Sequence, residues 1–182
     1  MTTSRPSPSL TTTALRVTRG AGAAVTLLPR GLAAFAVACA GNAGSARSLL
    51  RVEAGPAAPR PGAVRVAVQA VATVLLGALS LVLAGVVLLA VARGLFYGLV
   101  DQGPYDHSWG GPGKAGAWLA HFAVATPCVF AGVAALYGIA RMQERLTAPL
   151  RGERRPGWVL PAVFVCSAAG ALFVVAFLRQ LP

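Results

Sequence analysis

Three stretches of this chain contain no Asp, Glu, Lys or Arg: residues 66–92, 115–140 and 157–178. Each exceeds the ~20 residues that carry an α-helix, at 1.5 Å per residue, across a ~30 Å hydrocarbon core. Inside a bilayer every backbone N–H and C=O must be satisfied by the chain itself, and uncharged runs of this length achieve that as helices. The expected fold is all-α, an integral membrane helical bundle. Three transmembrane helices are expected over about 66–92, 116–140 and 158–178, joined by an outer loop at 93–115 and an inner loop at 141–157. Residues 64–182 form this transmembrane domain, and residues 1–63 form a basic N-terminal region in front of it.

The remaining charge is one-sided. The chain has 16 Lys plus Arg against 5 Asp plus Glu, a formal net charge of +11. Clustered cations bind nucleic acid by releasing counterions from its phosphates. Here the cations sit between apolar runs, so no nucleic-acid partner is expected. Residues 1–65 carry eight arginines and residues 141–156 carry five, whereas the other side has Arg93, Lys114 and Arg179. Lys and Arg near spans stay on the cytoplasmic side. The chain is therefore expected in the cell membrane as a multi-pass protein, N-terminus cytoplasmic and C-terminus outside. The lipid bilayer is its first partner, with anionic lipid at the cytoplasmic face. Aromatic rings favour the membrane–water boundary, and Tyr97, Tyr105, Trp109 and Trp118 gather at the proposed outer one, with Trp158 at the inner.

Residues 1–10 hold too little apolar surface to offset the entropy of ordering and read as disordered. Beyond them, helical spacing from Gly31 puts Leu32, Phe35, Ala36, Cys39, Ala43, Ala46 and Leu50 on one face. This pattern fits a helix lying in the headgroup plane; a loosely structured tail and a further crossing over residues 20–41 are the alternatives. Pro29 and Arg30 stand at the centre of that crossing, where an arginine costs about 2.5–3.5 kcal/mol. Cleavage ahead of Cys39 as a lipoprotein signal is not expected, because the apolar stretch before it is short and lies late in the chain. Residues 55–62 form a Pro/Gly linker that no helix can continue through.

Within the spans, Gly77, Ser80 and Ala84 form a stripe of small residues, and Cys166 with Gly170 and Ser167 with Ala171 make small pairs that let helices approach. Pro127 is expected to kink the second span.

The polar chemistry is concentrated in the outer loop and just below it. Arg93, Asp101, Asp106, His107, Trp109 and His121 are the candidate functional residues. Asp101, Asp106, His107 and His121 lack the close pairing that metal sites use, and adjacent Asp106, His107 and Ser108 do not converge as a catalytic triad must. His121 lies inside a span, where an ionisable group is a functional hypothesis by default. Haem ligation by it would need His107 to fold over or a second subunit. Neither a phosphate-binding glycine loop nor a CxxC motif occurs. No catalytic residue, metal or cofactor is expected, and Asp101 or Asp106 is expected to neutralise Arg93.

Arg93-Gly94-Leu95-Phe96-Tyr97, Gly103-Pro104-Tyr105-Asp106-His107-Ser108-Trp109-Gly110-Gly111-Pro112 and Gly116-Ala117-Trp118-Leu119-Ala120-His121 resemble small multi-span membrane proteins of unassigned function from high-GC bacteria. The resemblance covers about Arg93 to His121 and implies a membrane location. The expected role is non-enzymatic: an accessory, scaffolding or sensing protein acting through a membrane-protein partner or as a homo-oligomer. A small transporter or channel component working as an oligomer is the alternative. The charge count makes one topological prediction. Single cysteines placed at Ser108 and Arg151 label with an impermeant thiol reagent from opposite sides, and labelling from the same side overturns the orientation.

Overall fold

The computed structural model describes residues 10–52 and 62–180. The disorder expected over residues 1–10 lies outside those residues except at Leu10, which begins α1, and most of the Pro/Gly linker lies outside them too. Among the described residues all regular structure is helical. The helices are α1 (Leu10–Val25), α2 (Leu27–Cys39), α3 (Ala43–Leu49), α4 (Ala63–Ala90), α5 (Tyr97–Val100), α6 (Lys114–Leu146) and α7 (Val159–Leu178). A π-helical turn, Val91–Leu95, extends α4, and a 3-10 turn, Ala148–Arg151, follows α6.

Three helices are long and apolar enough to cross a membrane: Ala63–Leu95, Lys114–Leu146 and Val159–Leu178. They contain almost all of the three charge-free runs. Helix α6 continues past the apolar run to Leu146, with Gln143 and Leu146 buried on one side and Arg141 and Glu144 paired at 2.7 Å on the exposed side. It is helical throughout, Pro127 included.

Helix α4 is the hub, packing against α1, α2, α6 and α7. Its contact with α2 is made by small residues. The space a Cβ would need at Gly77 is taken by the backbone of Leu27 and Leu28, and at Gly31 by Val74 and the Ala70 carbonyl. One polar link joins α4 to α6. The buried Thr73 hydroxyl donates to the Gln69 carbonyl and accepts from Gln143 Nε2, each at 2.9 Å. Such interhelical hydrogen bonds contribute roughly 0.6 kcal/mol on average in membrane proteins. Other large apolar side chains point outward, Leu88, Phe130 and Leu172 among them, while Leu76, Leu136 and Leu146 are buried.

The N-terminal helices differ from expectation in one way. The single helix expected from Gly31 onward is broken after Cys39, where Gly41 takes a positive φ of 82° and Asn42 caps α3 by accepting from the Ser45 N–H at 3.1 Å. The face of α2 packed against α4 is not the apolar one expected to sink into the acyl boundary, of which only Ala46 and Leu50, beyond α2, are buried within the protein. Leu27, Gly31, Ala34 and Ala38 are buried, whereas Leu32, Phe35, Ala36 and Cys39 are exposed. Small residues at Gly31, Ala34 and Ala38, together with Leu27, let α2 approach α4 closely.

Helices α1 and α2 are bent by 48° at Thr26 and together pass the same test of length and apolarity. The contacts that hold them fall between Val66 and Gly77 on α4 and between Leu136 and Leu146 on α6, the halves remote from Arg93.

The structure also gathers the cations. Arg16 and Arg19 border a recess with Arg141, and Arg65 and Arg155 border another. Arg145 lies over the Trp158 ring, 5.2 Å from its centroid. This is the basic end of the molecule, and the loop between α5 and α6 forms the opposite, loop end.

The α2–α4 contact makes a stability prediction. Gly77→Leu forces the two backbones apart and lowers unfolding stability in mild detergent by about 1–3 kcal/mol. Gly22→Ala, inside α1 and with an added methyl that meets nothing within 4 Å, does not lower it and raises it by up to about 1 kcal/mol through helix propensity.

Candidate functional site

A cavity of about 620 Å³ opens at the loop end, between the last turns of α4 and the first half of α6. Local geometry builds it from both sides. On α6, His121, Ala125 and Cys128 recur at steps of four and three residues and therefore share one face. From the end of α4, Ala90, Gly94 and Tyr97 follow one another at the same steps, through the π-helical turn that holds Arg93 and into the start of α5. Gly94 sits against Ala125, so closely that a Cβ on Gly94 would overlap the Ala125 methyl, and this contact fixes the cavity floor.

The loop forms the roof. Asp101 starts it: its carboxylate accepts from the Gly103 N–H at 3.0 Å, and the Tyr105 hydroxyl donates to its carbonyl at 2.6 Å. Gly103, Gly110 and Gly111 all have positive φ, a conformation that glycine adopts without a Cβ penalty. Gly110 lies directly against the Gly116 carbonyl, which folds the loop back onto the start of α6. The Trp118 indole packs on Gly98 and donates its N–H to the Leu95 carbonyl at 2.8 Å. That bond also satisfies a carbonyl within the π-helical turn.

Four of the six residues singled out from the sequence line this cavity: Arg93, His107, Trp109 and His121. Asp101 and Asp106 do not line it. The ion pair expected between Arg93 and one of these acids is not formed, because each described salt bridge lies at the basic end. Asp101 is engaged locally instead. The Gly103 N–H, then the Tyr97 hydroxyl and more distantly Arg93 and His121 hold its carboxyl below the ordinary carboxylate range, against an opposing desolvation effect. Tyr105 is pushed upward by desolvation and by the Asp101 charge, which keeps its hydroxyl a donor. Asp106 is exposed on the loop surface.

His121 is held on two sides. Its ring stacks on Tyr97 with centroids 3.7 Å apart and planes 4° from parallel. Its Nδ1 lies 2.8 Å from the Ala117 carbonyl. A carbonyl only accepts, so Nδ1 carries a proton, and in the neutral ring Nε2 presents a lone pair with no partner in the protein. Among the described residues no three His, Cys, Asp or Glu side chains converge to hold a metal ion.

Tyr97 and Cys128 complete the site and were not singled out as functional from the sequence. The signal was present in the spacing, since both continue the faces that carry Arg93 and His121. Below the cavity, Val86 is shared with a second, almost wholly apolar cleft of about 590 Å³ between α4, α6 and α7. Cys166 lines that second cleft, so Cys128 and Cys166 belong to different cavities and both are free thiols.

No protein-family model matches the chain, and no curated protein or solved structure matches it either. The functional reading therefore rests on this geometry.

The loop makes a pH prediction. A carboxyl whose folded pKa lies below its ordinary value stabilises the fold fully above that value, 3.8 here, and the stabilisation is lost as pH falls through the lowered folded value. Asp101→Asn is expected to abolish this acid transition while leaving the chain folded at neutral pH, as read by Trp109 and Trp118 fluorescence.

Proposed function

We propose that this chain is a multi-pass membrane protein of the non-enzymatic accessory or sensing class, working through a ligand-receiving cavity at the outer ends of its helices. The observation that carries the reading is the convergence of Arg93, Tyr97, His107, Trp109 and His121 on one 620 Å³ space under a tied-down loop. A space of that size is typical of small-molecule sites, with mostly apolar walls and a few polar groups placed to orient what enters.

Several features support binding over bond-making. The nearest carboxylate, Asp101, is occupied by Gly103 and Tyr97 and stays outside the lining. Ser108 and Cys128 line the cavity without a hydrogen bond from either side chain to a histidine, so neither has the adjacent base that activates a nucleophile. Support for the orientation comes from the gathering of Arg16, Arg19, Arg65, Arg141 and Arg155 at the end opposite Arg93. That end would lie in the cytoplasm, against anionic lipid, with the C-terminus outside. Helices α1 and α2, packed on the inner halves of α4 and α6, suit a segment that enters from the cytoplasmic side beside the bundle.

Photocrosslinking in native membranes tests the proposal. A photoreactive residue at Ser108 should yield an adduct with a molecule other than this chain, and the adduct should fall when Trp109→Ala opens the cavity roof. The same probe at Phe130, exposed on the outer side of α6, should not yield that adduct. Identical products at the two positions, or adducts of the chain with itself alone, overturn the reading.

A further inference from the structure

We infer that the occupant of the loop-end cavity is an anionic phospholipid whose headgroup carries a free hydroxyl, with one acyl chain running down into the cleft between α4, α6 and α7. The inference rests on the cavity being a binding site, as proposed above, and adds the chemistry of what binds.

The polar groups specify the head. Arg93 contributes a guanidinium to the lining, and no carboxylate pairs with it. A guanidinium beside apolar walls calls for an anionic oxygen, and its planar fork matches phosphate. His121 sets a second requirement of opposite sense. With Nδ1 committed to the Ala117 carbonyl and the ring clamped on Tyr97, the neutral imidazole offers Nε2 as an acceptor. A simple carboxylate, which only accepts, would satisfy Arg93 and leave Nε2 facing a lone pair. A phosphate ester with a hydroxyl-bearing substituent satisfies both, because its oxygens accept from Arg93 and its O–H donates to His121. His107 and Ser108 on the roof supply further polar contacts without adding negative charge.

The apolar walls specify the tail. Val86, Leu89 and Val124 line the cavity below the polar groups, and Val86 is also part of the wall of the second cleft. That cleft continues down α4 to Leu79, fourteen residues from Arg93, a depth of about 20 Å at 1.5 Å per residue. It exceeds half the thickness of a ~30 Å hydrocarbon core, so the two spaces, which share Val86, together have the depth of a whole acyl chain with its head at Arg93. Gly138, Ala169 and Gly170 are small residues of the cleft lining, and an added Cβ at Gly138 meets nothing within 4 Å. Both cavities are open rather than enclosed, which admits a lipid with a second chain lying along the outside of the bundle.

Two native thiols report on the two halves: Cys128 in the head cavity and Cys166 in the tail cleft, with exposed Cys39 outside both. The experiment measures N-ethylmaleimide labelling of each cysteine by peptide mass spectrometry, on the purified full chain in a neutral detergent. Phosphatidylglycerol, phosphatidylcholine or glycerol 3-phosphate is titrated in turn. Phosphatidylglycerol is expected to protect Cys128 and Cys166 together and leave Cys39 unchanged. In Arg93→Gln the half-protecting concentration should rise about tenfold, the worth of one charge-assisted hydrogen bond. Gly138→Leu fills the cleft at a position where an added Cβ meets nothing within 4 Å, and should remove protection of both thiols by the lipid.

Equal protection by phosphatidylcholine overturns the headgroup assignment but leaves a ligand-receiving cavity standing. Protection of Cys128 by glycerol 3-phosphate at concentrations as low as the lipid overturns the acyl-chain assignment in favour of a soluble phosphate. No protection of Cys128 by any of the three overturns the inference, and the photocrosslinking at Ser108 then decides separately whether the cavity has another occupant.

Discussion

Close approach of backbones along α4 is the constraint on which the rest of the structure depends. Where Gly77 meets Leu27 and Leu28, and where Gly94 meets Ala125, a single added carbon has no room. The first contact places α2 and, through the bend at Thr26, α1. The second sets the separation of α4 and α6 at the loop end, and hence the floor of the cavity. Dispersion between closely packed atoms and a few buried hydrogen bonds are the available attractions when the surroundings are as apolar as the side chains. The Thr73–Gln143 pair adds one directional bond between α4 and α6.

The same constraint explains why cavities exist at all. A small residue draws two helices together only where it has a partner, and large side chains beside it hold the flanking segments apart. The helices touch at Gly94 on Ala125 and again at Val87 on Gly132, while Val86 and Leu89 line the cavity and Val86 also borders the cleft toward α7. The π-helical turn then sets Gly94 on Ala125 and Tyr97 on His121, while Arg93 reaches the cavity lining. A loop pinned by Trp118, Tyr105 and three positive-φ glycines covers the result. Structural economy and proposed function meet here, because the groups that fix the loop are the ones that leave Arg93 without a carboxylate partner.

Much of the fold was legible from charge alone. Residues 66–92, 115–140 and 157–178 correspond to α4, α6 and α7, because the absence of ionisable side chains over such lengths admits few other structures. Part of the site was legible as well: Arg93, His107, Trp109 and His121 converge, and each stood out as a polar or amphipathic residue beside an apolar run. Asp101 and Asp106 did not join them. A carboxylate two residues from a glycine N–H in a turn is satisfied at once by that neighbour, and spacing in the sequence gives no warning of it. Apolar periodicity marked Leu32 and Phe35 as a face for lipid and gave no sign that Gly31 and Ala34, on another face, pack against α4.

The sequence by itself determined that the chain is helical, that three of its segments suit hydrocarbon, and that its positive charge is divided unequally between the ends of those segments. These are local or additive properties, set by the transfer energy of each side chain and by the obligation of each backbone group to find a partner. Only the tertiary structure decided that Arg16 and Arg19 stand beside Arg141, that Tyr97 stacks on His121, and that two cavities share Val86. Such juxtapositions depend on how far apart packed helices sit. That distance is settled at a handful of glycine and alanine contacts whose effect appears only when both helices are in place.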